Sequence, residues 1–241
     1  MPVVAHGETH PGKRASNEDT LLVATKLGLF VVADGMGGHR AGEVASAMAV
    51  RTVERSIAAG EEPGGDELEY AVRLANDKVY AASSSDPDYA GMGTTIVAVL
   101  VSGAQIVYAS VGDSRLYRWR SGALTQLTRD DSWVERMLQE ESLSPAEVQQ
   151  HPMRHVLTEV VGVRTGLDPQ ATSFPWIEGD VLLLCSDGLH GAVTSDRMQD
   201  WLGSGSDVAK ISSGLVSEAL ARGASDNVTA VVVRIDSAAR S

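Results

Sequence analysis

The sequence predicts an α+β fold, a four-layer α-β-β-α sandwich of two antiparallel β-sheets flanked by helix pairs. Three observations lead there. Apolar runs meet across Ser-Gly dipeptides, as hairpins do, so the sheets are antiparallel. Helical patterns come in pairs, unlike the strict strand-helix alternation of a parallel doubly wound sheet. The order along the chain is strands, two helices, hairpins, a helical insertion, more strands, two helices and a last strand, which places one helix pair on each sheet.

Each element has a local reason. Gly28–Ala33 is a short, continuous apolar run, the pattern of a strand buried on both faces. Ala41–Ala59 carries an apolar stripe at Val44, Ala47, Met48 and Ile57 and ends at Gly60, a natural helix-terminating residue. Glu67–Ala82 sets Leu68, Val72, Ala75 and Val79 on one helical face. Thr94–Val101 and Ile106–Val111 form a hairpin over Ser102-Gly103, and Leu116–Arg120 and Ala123–Leu127 form another over Ser121-Gly122. Between about Asp131 and Gly162 lies a helical insertion, with a Pro-containing capping box at Ser144-Pro145-Ala146-Glu147. Val181–Cys185 is a strand, Asp207–Arg222 a helix with Val208, Ile211, Leu215 and Ala219 aligned, and Val228–Ile235 the final strand. About eight to ten strands are expected in one domain over residues 1–241.

Composition excludes several functions. Twenty Lys and Arg against thirty-two Asp and Glu give a net charge of −12, which disfavours nucleic acid as a partner. The longest aliphatic run, Ile96–Val101, is six residues, far short of a membrane span. The N-terminus shows no secretory signal, and the single cysteine, Cys185, builds no disulfide framework, so a cytoplasmic setting is expected.

The acidic residues gather where apolar strands stop. Asp34-Gly35 follows Phe30–Ala33, Asp187-Gly188 follows Leu182–Ser186, Asp113 follows Ala109–Gly112, Asn17-Glu18-Asp19 precedes Leu21–Val23, and Asp226-Asn227 precedes Val228–Val231. Any one of these is an ordinary turn signal. Converging, they would repel one another unless cations lay among them, and an all-oxygen set suits Mg²⁺ or Mn²⁺. Asp34-Gly35-Met36-Gly37-Gly38-His39 is also too glycine-rich for a simple turn and opens a helix, as backbone does when it approaches an anion.

Arg14-x-x-Asn17-Glu18-Asp19, Asp34-Gly35-Met36-Gly37-Gly38-His39, Gly91-Met92-Gly93-Thr94-Thr95, Gly112-Asp113-Ser114-Arg115, Ser186-Asp187-Gly188 and Asp226-Asn227-Val228-Thr229 occur in this order. The chain thereby resembles the metal-dependent protein phosphatases, the type 2C serine/threonine enzymes, in their compact bacterial form, from about residue 5 to residue 236. The resemblance implies hydrolysis of phosphoserine and phosphothreonine by a water bridging two metal ions. It gives Asp34 as the bridging ligand, the Gly35 carbonyl on one ion, and Asp187 and Asp226 on the other. Glu18 and Asp19 would hold metal-bound waters, and Asp113 with Asp187 a third ion. Arg14 would grip the substrate phosphate. The segment 131–162 takes the place of the family's flap. Animal relatives have histidine where this chain has Met36, which cannot donate a proton, so His39 or a metal-bound water is left as the acid. The expected partners are phosphorylated proteins and a Hanks-type kinase, with the chain acting as a monomer.

Rival readings are a cysteine phosphatase, a phosphoprotein-binding regulatory module of the same fold, and a phosphatase of an anti-sigma-factor antagonist. The first fails because the residue six places after Cys185 is Gly191, not arginine. The second would be signalled by loss of a core Asp, and none is missing.

Overall fold

The computed structural model describes residues 3–38, 41–140, 142–144, 147 and 151–236. The chain runs β1 (Val3–His10), β2 (Asp19–Ala24), β3 (Leu29–Met36), α1 (Ala41–Ala58), α2 (Gly65–Ser85), β4 (Gly93–Thr94), β5 (Ile96–Ser102), β6 (Gln105–Val111), β7 (Arg115–Arg120), β8 (Ala123–Gln126) and α3 (Trp133–Gln139). It continues with β9 (Thr172–Pro175), β10 (Val181–Cys185), α4 (Asp187–His190), α5 (Ser195–Leu202), α6 (Val208–Ala221) and β11 (Val228–Ile235). One sheet has the order β1-β11-β10-β7-β8, the other β2-β3-β5-β6-β9 with β4 added to β3, and the pairings are antiparallel.

The layers follow from strand periodicity. Successive side chains point to opposite faces, so Phe30 and Val32 enter the core between the sheets while Leu29, Val31 and Ala33 pack under α1 and α2. On the other sheet Leu182 and Leu184 face inward, and Leu183 and Cys185 pack beneath the C-terminal helices. Burial on both faces explains why these strands read as unbroken apolar runs rather than alternating ones. No helix among the described residues is long and apolar enough to cross a membrane.

Eleven strands are seen among the described residues, more than expected. β1 is polar along much of its length and gives no run to recognise. It forms because β11 offers a partner from Val3↔Ile235 to His10↔Val228. β9 is a short edge strand ending in Pro175, where proline is tolerated. The expected strand Thr94–Val101 is interrupted at Thr95, which turns its hydroxyl to the backbone N–H of Asp34 at 3.0 Å.

The buried face of α1 is rotated from the expected stripe. Ala41, Ala45, Ala49, Val53 and Ile57 are buried, with Val44 and Met48 on the flank. The small residues let the helix start close in: a Cβ on Gly42 would lie 2.2 Å from Glu18 Oε2 and 2.9 Å from the Gly35 carbonyl carbon. α2 begins two residues earlier than expected, where the Glu67 carboxylate accepts from the Gly64 N–H at 2.9 Å. In the insertion, Ser144 and Glu147 make the reciprocal capping bonds, Ser144 N–H to Glu147 Oε2 at 2.8 Å and Glu147 N–H to Ser144 Oγ at 3.4 Å. The rest of that expected helix lies outside the described residues. The insertion is tied down at its ends by bridges from Ser132 to Leu157 and from Thr94 to Val161.

Cys185 is fully buried on β10, and burial pushes its thiol up to about 12. The thiolate is the reactive species, so the native protein at pH 8 is expected to leave a thiol-specific reagent unreacted until denaturant is added. Stoichiometric labelling of the folded chain would contradict this burial.

Candidate active site

The ends of β2, β3, β6, β10 and β11, the loop carrying Arg14 and part of the insertion surround a cleft of about 610 Å³. Arg14, Glu18, Asp34, Gly35, Asp113, Asp187 and Asp226 line it, so most of the expected site residues meet there. Asp19 lies just beneath the floor, in register opposite Asp34 across β2 and β3. His39, the other expected residue, lies outside the described residues. Met36 lines the cleft, and so does His155 from the insertion.

The backbone positions these groups by close approach. The Gly35 N–H donates to the Glu18 carbonyl at 3.1 Å, and a Cβ on Gly35 would fall 2.1 Å from the Gly42 carbonyl oxygen. At Gly188 the corresponding distance is 2.0 Å to the Asn227 carbonyl oxygen. Only glycine fits where backbone crosses backbone so tightly. Asp34 is fixed at its main chain: Thr95 N–H and Thr94 Oγ1 both donate to its carbonyl at 2.8 Å. Thr95 Oγ1 is itself held by Ser114 Oγ at 2.7 Å, which joins the Gly-Met-Gly-Thr-Thr segment to the Gly-Asp-Ser-Arg segment. Asn227 orients the N-terminal loop, accepting from Glu18 N–H at 2.8 Å and donating to the carbonyls of Pro11 and Ser16.

Charge in the cleft is poorly compensated. Burial first, then the neighbouring carboxylates Asp19, Asp187, Asp113 and Asp226, holds the Asp34 carboxyl well above the ordinary range. Burial and then Asp187 push Asp113 up to about 7. Burial also raises Asp187, with Asp226 adding to it. Glu18 is raised by burial as well. Asp19 is pushed up to about 6 by burial, against the pull of hydrogen bonds from Thr229 and Ser186. Those hydroxyls donate to Asp19 Oδ2 at 2.6 and 2.7 Å, leaving Oδ1 buried without a partner. Asp187 Oδ1 is likewise buried and unpartnered.

Two orphaned carboxylate oxygens beside a crowd of acids whose anionic forms are disfavoured are the marks of a site for hard divalent cations. The residues fit such ions. They do not form a closed cage: among the described residues no three His, Cys, Asp or Glu side chains converge on one point. Arg14 pairs with one of them, Asp226, at 2.8 Å. The ion pair to Asp226 is not part of the sequence expectation, which gives Arg14 the substrate phosphate. An open donor set leaves coordination positions for water, as Mg²⁺ and Mn²⁺ sites generally do.

Sequence reasoning alone assigns no site role to Ser186, Thr229, Thr95, Ser114 and Asn227, which the structure places around the acids. Each is a short polar residue buried beside an acidic one, at 0–5 % exposure. Their places within the quoted motifs were the available signal.

A four-layer sandwich whose sheet ends open into an anionic all-oxygen cleft with an arginine at its mouth defines a class of proteins built around hard cations. Within it, the model of the Protein phosphatase 2C family matches residues 6–227, and the chain belongs to that family. It is 38% identical over 227 residues to the serine/threonine protein phosphatase PstP of Mycobacterium tuberculosis, covering 92% of this chain and 43% of that one. The chain therefore spans less than half the length of that relative. It is 36% identical over 213 residues to the serine/threonine phosphatase stp of Listeria monocytogenes, covering 86% and 84%. A crystal structure of the catalytic domain of PstP in complex with two manganese ions superposes with a TM-score of 0.87 at 35% identity, covering 98% of this chain and 99% of that one.

Proposed function

We propose that this chain is a metal-dependent serine/threonine protein phosphatase and that residues 1–241 act as one catalytic domain with residues 131–162 as a flap beside the cleft. The observation that carries this reading is the buried, uncompensated carboxylate cluster: acids at Asp34, Asp113 and Asp187 held above their ordinary range, with unpartnered oxygens on Asp19 and Asp187. A relative of the same fold holds two manganese ions, which supports Mn²⁺ or Mg²⁺ here.

Asp34 would contribute to both ion positions, the Gly35 carbonyl to one, and Asp187 and Asp226 to the other. Glu18 and Asp19 would hold waters, and Asp113 with Asp187 a further, more exposed ion. When bound, paired divalent ions supply a water of lowered pKa and neutralise charge on phosphoryl oxygens. The protein's own groups do the rest. Arg14, at the exposed mouth, offers a permanently charged, bidentate clamp for the phosphate dianion. Its partner here, Asp226, is one of the carboxylates that would hold a cation, so in the loaded site the guanidinium would be free for the phosphate. Thr94, Thr95 and Ser114 fix the main chain of Asp34, and Asn227 fixes the loop that carries Arg14 and Glu18. Substrates are phosphorylated proteins, the opposing activity a serine/threonine kinase, and the setting the bacterial cytoplasm.

Phosphoserine and phosphothreonine peptides should release phosphate with Mn²⁺ or Mg²⁺ present and cease to do so after chelation, with recovery on adding the ion back. Undiminished release after exhaustive chelation would sink the mechanism.

A further inference from the structure

A second cavity, of about 550 Å³, adjoins the cleft and shares Arg14, His155, Asp187 and Asp226 with it. Arg154 from the insertion and Arg222 from the end of α6 line it as well. A chain of net charge −12 has here placed three arginines around one groove. We propose that this groove is an anion subsite: it reads a second negatively charged side chain, phosphorylated or carboxylate, on the substrate chain beside the phosphoresidue being hydrolysed. The inference rests on the phosphatase reading above.

The arginines are arranged for such a ligand. Glu218 holds one edge of the Arg222 guanidinium, accepting from Nε at 3.0 Å and from a terminal nitrogen at 2.9 Å. That carboxylate is shared, since Arg197 and the Trp201 indole N–H also donate to it. Arg197 has a further partner in Asp200 at 2.8 Å, so Glu218 serves to orient Arg222 along one edge, and the opposite edge of Arg222 has no protein acceptor among the described residues. Arg154 forms no ion pair among the described residues. Gly191, Ala192 and Gly223 line the groove with little side chain, leaving room for a bulky anion. Lys13 Nζ stands near Gly223, 3.8 Å from where a Cβ would sit, and adds a further positive charge at the edge.

The two carboxylates on the shared wall, Asp187 and Asp226, would not cancel this charge in the metal-loaded protein, because in the proposed assignment they would hold the ions. Because the cavities share a wall, the second anion belongs about one to three residues from the phosphoresidue, at ~3.3 Å per extended residue. Arginine forks match phosphate and carboxylate alike, and each charge-assisted contact adds to affinity.

The experiment compares one phosphothreonine peptide in three forms, with alanine, glutamate or a non-hydrolysable phosphonate analogue of phosphoserine two residues away, on either side in turn. The Mn²⁺-loaded protein is expected to favour the anionic peptides by about tenfold in kcat/KM, through KM, with the preference fading as salt rises. In Arg154→Ala/Arg222→Ala, checked for an unchanged melting temperature, the ratio should fall to near one, and Arg222→Lys should restore part of it. A gain with the phosphonate alone supports the proposal with phosphate as the ligand, and a gain with both supports it for anions in general. Equal kcat/KM for all three peptides, or a preference that survives in the double variant, would overturn the subsite while leaving the phosphatase reading intact. Turnover of none of the peptides would overturn both.

Discussion

Asp34→Asn should cut phosphopeptide turnover by at least ~10³-fold, because a two-ion site draws much of its rate from positioning and charge neutralisation. The substitution keeps size and hydrogen-bonding shape. The main-chain anchors of residue 34, to Thr94 and Thr95, do not involve the side chain and survive. What is lost is one negative charge at the point surrounded by Asp19, Asp113, Asp187 and Asp226. In the proposed assignment that charge is shared by both core ions, so calorimetric titration should show both tight sites weakened. The metal-free protein should respond in the opposite sense. Its cluster is self-repelling, so removing one charge should raise its melting temperature, by about 2–4 °C if the relief is of order 1 kcal/mol. Activity lost with metal-free stability gained distinguishes a functional charge from a structural one. Asp113→Ala serves as the contrast. Asp113 is held from the main chain, where His190 donates to its carbonyl at 3.0 Å, and it is read as a ligand of the more exposed ion. Its loss should slow catalysis and leave the two core ions bound. If Asp113→Ala empties the tight sites and Asp34→Asn keeps them, the two roles are reversed.

The convergence of the acids was legible because chemistry and punctuation coincide: Asp34, Asp113 and Asp187 each stand where a buried apolar strand stops, and although any one of them alone reads as a turn residue, their repetition in ordered motifs does not. Burial on both faces made β3, β5 and β10 equally plain. β1 was not legible, since Val3–His10 gains its strand character from hydrogen bonds to β11, more than two hundred residues away in sequence. The rotation of α1 was hidden for a related reason. A stripe drawn through the largest apolar side chains picks out Val44 and Met48, whereas the helix turns alanine and glycine inward to approach Gly35 and Glu18. Polar support was hidden by ambiguity of residue type. Ser186 and Thr229 look like ordinary strand-end residues until the fold sets both hydroxyls on Asp19. The Arg14–Asp226 pair joins residues near opposite ends of the chain, and Arg154 and Arg222, far apart in sequence, line one groove only in the folded chain.

Gly35→Ala should damage stability and site together, and in a way that metal does not repair. Gly35 does not need a left-handed conformation. Its constraint is space, because an added Cβ would meet the Gly42 carbonyl oxygen at 2.1 Å, its carbon at 2.5 Å and the Glu18 carbonyl oxygen at 2.7 Å. All three are backbone atoms, so no flexible side chain can swing away. Either α1 moves off β3 or the Glu18 loop moves off both. Overpacking of this kind costs about 1–3 kcal/mol, and a rigid backbone on two sides places it toward the upper end. For a chain of this length that corresponds to a fall in melting temperature of roughly 6–12 °C. The same shift displaces the Gly35 carbonyl and the Glu18 carboxylate, two groups assigned to the cation site, and a misplacement of ~1 Å in such a constellation costs on the order of 10²-fold in rate. Saturating Mn²⁺ should therefore leave the variant slow, whereas a purely thermodynamic lesion would be rescued by ligand binding to the native state. Gly38→Ala is the control, since a Cβ there meets nothing within 4 Å. Should Gly35→Ala match Gly38→Ala in both melting temperature and turnover, the close approach of β3 to α1 is not what holds the site in shape.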